Sequence, residues 1–122
     1  MTIAFWCVLV AALLPYFPFG FVKGLDPKAP RANVKELTGL AARAHGAHLN
    51  AFEAFPPFAA AVIISHLTLG ANGWTNILAL LFLLARFAHI GAYLTDQQPP
   101  RSAAWAAGLV IVIAMFVHAA WG

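Results

Sequence analysis

Residues 43–58 read RAHGAHLNAFEAFPPF, and they set a cation, an amide and a carboxylate inside a stretch otherwise suited to lipid. At about 100° per residue, a helix here puts Arg43, Gly46, Asn50 and Glu53 on one face. Ala44, Ala47, Ala51 and Ala54 keep their surroundings slim, and Pro56-Pro57 should then distort the helix. Polar side chains at membrane depth are costly, so they mark a site by default.

The bilayer is implied by composition. Of the 122 residues, 62% are hydrophobic and 9% charged, and the mean hydropathy is +0.81. A soluble globule of this size has too little interior to hide that much apolar surface. The length corresponds to one domain, 1–122. A net charge of +3, with dispersed cations, does not point to nucleic acid. The single cysteine, Cys7, has no disulfide partner in the chain and reads as a small hydrophobe in the core or against lipid.

Outward from the opening stretch, the chain divides into four apolar spans at about 2–22, 38–69, 74–95 and 101–121. The fold class is therefore all-α, an integral membrane four-helix bundle. The first span has no Lys or Arg before it and no A-x-A site after it, so it reads as retained rather than as a signal peptide. Pro15 and Pro18 should bend its inner end. The polar stretch KGLDPKAPRANVK (23–35) reads as a loop, with Asn33 an N-cap and Glu36 in capping-box spacing for a helix beginning near Val34. GANG (70–73) is a tight turn and DQQPP (96–100) a short loop.

The first loop carries Lys23, Lys28, Arg31 and Lys35, the third is flanked by Arg101, and the second has no Lys or Arg. The positive-inside rule then places loops one and three in the cytoplasm and both termini outside, with Trp6, Trp74 and Trp121 toward the outer interface. A bacterial inner membrane is compatible with the compact loops.

A second polar stripe, Arg86, His89 and Tyr93, runs along the third span at spacings of three and four, continued by Asp96. Facing the Arg43–Glu53 stripe, it would share the desolvation cost, and Arg86 with Glu53 is one candidate ion pair. Pro99-Pro100 can open a helix, gathering backbone N–H groups, the Ser102 hydroxyl and the Arg101 guanidinium into a site for an anion such as a thiolate. The plainer alternatives are stripes that pin helices together and an Arg101 that anchors topology. His45 and His48 lie on the opposite face with Phe52 and Phe55, where packing or an intersubunit contact is expected. No metal site is read, since no third ligand is near them. No G-x-S-x-G occurs, so any chemistry has to come from a bound cosubstrate.

These motifs resemble the MAPEG family, membrane-associated proteins in eicosanoid and glutathione metabolism. Arg43, Ala47, His48, Asn50, Glu53, Pro57 and Phe58 match its R-x-x-x-A-H-x-N-x-x-E-x-x-x-P-F pattern, and the likeness extends to ARFAHIGAY and PPRS. The resemblance implies a homotrimer with glutathione as cosubstrate, bound between subunits near the cytoplasmic face. By position, Asn50 and Glu53 would hold polar groups of the tripeptide. Arg43, Arg86, His89 and Tyr93 would belong to the same pocket, and Lys23 would meet a carboxylate. Arg101, with Ser102, would stabilise the thiolate for attack on an apolar electrophile or hydroperoxide. Where several glutathione-binding members carry arginine, this chain has Gly46 and Leu49. The family also includes a non-enzymatic lipid-presenting member, so a non-catalytic trimeric lipid-binding or scaffold protein is the alternative. A conducting oligomer using Arg86, His89 and Glu53 is a third reading.

Overall fold

The computed structural model describes residues 1–122. It contains α1 (Ile3–Leu13), α2 (Tyr16–Phe19), α3 (Gly39–Leu69), α4 (Gly73–Leu94) and α5 (Gln98–Trp121), with a 3-10 turn at Val34–Glu36 and no strand. α3, α4 and α5 have 31, 22 and 24 residues and are each long and apolar enough to cross a bilayer. α1 and α2 together form a shorter apolar helix.

The first span is broken. Thr2 starts it by accepting the Phe5 amide at 3.3 Å. Pro15 then has no N–H for the Ala11 carbonyl, and α1 stops at Leu13. The Pro15 carbonyl itself accepts from His48 Nδ1 on α3 at 2.7 Å, and Tyr16, Phe19 and Phe52 crowd the same imidazole. His48 is thus a packing residue at the break, within its own subunit. His48→Leu should lower stability by about 1 kcal/mol by stranding that carbonyl. A thermal melt checks this against His45→Leu, which removes no hydrogen bond and should shift the midpoint less.

The expected cap at Asn33 is not formed. Its side chain ties the first loop across itself, donating to the Gly24 carbonyl at 2.8 Å and accepting the Asp26 amide at 3.0 Å. An asparagine with local backbone partners is lost to capping. Val34–Glu36 accordingly forms a separate turn, and α3 begins at Gly39 after Thr38. α3 stays helical through Pro56 and Pro57, which leave the carbonyls of Phe52 and Glu53 without their usual donors four residues on. It ends at Gly70, whose φ of 69° is in the left-handed region that glycine enters freely.

All four spans contribute to one core: Ala4, Cys7 and Ala11 of α1 meet Phe58, Val62, Phe82, Leu83, Val112 and Met115. Phe58 and Phe82 stack at 4.0 Å. Cys7 is buried there, not against lipid. At one end of the bundle His66 Nε2 meets the Thr2 hydroxyl at 2.8 Å, and Asn76 accepts the Ala4 amide at 2.9 Å. The other end, where α3 begins, α4 ends and α5 begins, holds the polar stripes.

Candidate functional site

The turn from α4 to α5 positions the site. Asp96 takes a left-handed φ of 58°, the Gln97 amide returns to the Ala92 carbonyl at 2.8 Å, and the Asp96 amide returns to Tyr93 at 3.2 Å. This is a Schellman closure with Asp in the place glycine usually fills. Asp96 therefore ends α4 at the surface and does not extend the polar stripe, which stops at Tyr93. The reversal is short enough to bring Arg101 back onto Tyr93, its guanidinium carbon 4.5 Å from the ring centroid.

Arg86 and His89 lie deeper, 2% and 3% exposed. Arg86 Nη2 donates to Asn50 Oδ1 at 2.5 Å and approaches His89 Nδ1 at 3.4 Å. A guanidinium can only donate, so the imidazole nitrogen is the acceptor in this contact. The His89 ring meets Tyr93 edge-on at 5.6 Å. Asn50, Arg86, His89, Tyr93 and Arg101 thus form one continuous chain of contacts across α3, α4 and α5. Arg43 joins its end, with Nη2 3.4 Å from the Leu94 carbonyl.

Glu53 is not the ion-pair partner of Arg86. It is exposed, while the guanidinium goes to the neutral amide one turn earlier. A carboxylate at the rim keeps its hydration, whereas an amide enters the interior at smaller desolvation cost. Glu53 borders a cavity of about 230 Å³ shared with Asn50, Arg86, Trp105 and Gly108. Trp105 and Gly108 lie four and seven residues after Arg101, a helical spacing that was available in the sequence as a sign of a shared face.

The expected backbone anion site at the start of α5 is absent. α5 opens at Gln98, so Pro99 and Pro100 occupy first-turn positions that would otherwise donate, and the Arg101 amide is bonded to the Gln97 carbonyl at 3.1 Å. The cation at this point is the Arg101 side chain alone. Ser102 is exposed, and its hydroxyl accepts from Gln98 Nε2 at 2.9 Å. Lys23 is exposed on the first loop and has no hydrogen bond to the cluster.

The assembled groups are three guanidiniums against one carboxylate. Buried Nε atoms of Arg43 and Arg86 have no acceptor. Unmet donors and excess positive charge suit a ligand that brings anionic oxygen or sulfur.

The family model described as the MAPEG family matches residues 3–121. The chain belongs to the MAPEG family. No curated protein and no solved structure matches it. MAPEG proteins are membrane proteins, generally trimeric; they include glutathione transferases and peroxidases as well as non-catalytic members, and the family generally uses glutathione.

Proposed function

We propose that the protein is a membrane-embedded, glutathione-dependent transferase or peroxidase working as a homotrimer. The observation that supports this most is Arg101 held over Tyr93 at the open end of the Asn50–Arg86–His89 chain. Arg43 and Arg86 supply charge for the tripeptide's carboxylates, and Asn50, Glu53, His89 and Tyr93 supply its polar contacts. Lys23 reaches a carboxylate from the first loop. Arg101, assisted by the Ser102 hydroxyl, favours the ionised thiol, because an adjacent cation lowers a thiol's pKa.

The thiolate sulfur then attacks an apolar electrophile arriving from the lipid: a carbon–sulfur bond forms, the leaving group departs with the electron pair, and the thiol proton has already gone to water. With a lipid hydroperoxide, the sulfur takes the distal oxygen, the alcohol leaves, and a second glutathione completes the disulfide and releases water. Proximity and charge stabilisation account for the rate. The basic first loop argues for a site at the cytoplasmic face with both termini outside, as in a bacterial inner membrane.

Glutathione at about 100 times its Kd should stabilise the detergent-solubilised protein by about 2.7 kcal/mol, by mass action. A thermal melt titrated with glutathione measures it, and a flat titration refutes the reading. A second reading, a non-catalytic lipid-binding protein, is favoured by one feature. A mainly apolar cavity of about 750 Å³ lies away from the cluster, bordered by Tyr16, Phe19, Leu25, His48 and Phe52. That reading predicts co-purifying lipid and no response to glutathione.

A further inference from the structure

Gly46 lies one turn before Asn50 on α3, and the Tyr93 phenol rests against its bare Cα. A β-carbon on residue 46 would overlap the Tyr93 hydroxyl oxygen and come within 2.7 Å of Cζ and 3.2 Å of Cε1. Neighbouring small positions on α3, Ala44, Ala47 and Ala51, are alanines buried in the bundle. Alanine is the better helix residue, so a glycine in their midst costs helix stability that something else has to offset. What it provides is room for one ring.

That ring is held on its other sides as well. His89 meets its edge at 5.6 Å and the Arg101 guanidinium covers its face at 4.5 Å. Tyr93 therefore cannot retreat from a new β-carbon without disturbing one or both. We propose that Gly46 is a positioning residue for Arg101, acting through Tyr93: the missing side chain fixes the depth of the ring, and the ring fixes the guanidinium. The catalytic part of this rests on the reading of Arg101 as the thiol-activating group; the steric part does not.

A cycle of Gly46→Ala, Tyr93→Leu and the double variant tests both parts on the full-length protein in detergent. Without ligand, Gly46→Ala should lower the unfolding midpoint in the wild-type background. In the Tyr93→Leu background the same change should raise it, since alanine then meets open space and only its helix preference remains. With glutathione bound, Gly46→Ala should raise the pH at which thiolate ultraviolet absorbance appears and lower kcat/KM for conjugation about 10- to 100-fold.

Equal midpoint shifts in the two backgrounds, or a double variant no more stable than Tyr93→Leu alone, would overturn the steric coupling. A lowered midpoint with unchanged thiolate ionisation would make Gly46 a packing residue and overturn the positioning role. Wild-type protein that binds no glutathione would instead refute the proposed function and the catalytic part with it, leaving the midpoint cycle to judge the Gly46–Tyr93 contact on its own.

Discussion

Arg101→Ala is expected to lower kcat for glutathione conjugation about 10²- to 10³-fold, the usual cost of removing one group that stabilises developing or resident negative charge. The size of the loss follows from the lack of a substitute. At the start of α5 few donors could take over, since Pro99 and Pro100 have no N–H and the Arg101 amide is committed to Gln97. Arg86 is 2% exposed and engaged with Asn50, so it cannot move out to the sulfur. The bound thiol should then ionise nearer the ordinary thiol value of about 8.5. Removing the cation destabilises the thiolate, so the pKa rises and the activity deficit is greatest at low pH, narrowing as pH increases.

Arg101→Lys should fall between wild type and alanine, because an ammonium keeps the charge and loses the planar stacking on Tyr93. Conjugation of a chloronitrobenzene across a pH series, alongside the glutathione-dependent melt, separates lost activation from lost binding. Should Arg101→Ala retain full turnover while Tyr93→Phe abolishes it, the phenol and not the guanidinium activates the thiol.

Much of this arrangement was legible in the sequence, and what was not has local physical causes. Three spans are evident because an apolar run able to cross a bilayer has few alternatives. The faces of α3 and α4 follow from spacing alone, since Arg43, Asn50, Arg86, His89 and Tyr93 recur at helical intervals. Spacing does not choose between partners. Asn50 and Glu53 stand three residues apart on one face, and the buried guanidinium took the amide because of desolvation, which a helical wheel does not contain. Capping fails similarly. Asn33 has both the residue type and the spacing for a capping box, yet Gly24 and Asp26, brought close by the folded loop, claim its side chain. Pro15 predicts a bend, but not the bond from His48 to its own carbonyl, which only the packing of α3 against the break supplies. Asp96 seemed to prolong a stripe because it follows Tyr93 at helical spacing, and only the closing hydrogen bonds reveal it as the residue that ends the helix.

The second large effect should come from the half-buried Asn50 amide. Asn50→Leu preserves the size of the side chain and removes the acceptor, leaving Arg86 Nη2 with only the 3.4 Å approach to His89 and Nε with none. A buried cation stripped of its main partner costs about 2–4 kcal/mol, more than the hydrogen bond itself contributes, because the desolvation penalty is left uncompensated. Replacing both partners removes the penalty together with the bond. Asn50→Leu combined with Arg86→Met should therefore be more stable than Asn50→Leu alone, a reversal of the additivity expected for independent sites. Thermal or denaturant unfolding in detergent measures the pair. Additive losses would mean that the Arg86–Asn50 contact contributes little and that the guanidinium finds water or another acceptor when the amide is gone. The same double variant bears on function: with stability recovered and the inner cation absent, glutathione should no longer raise the melting midpoint as it does in the wild type. Loss of ligand response in a protein that folds well would assign the Asn50–Arg86 pair to the binding of the tripeptide, whereas an unchanged response would leave both residues to packing.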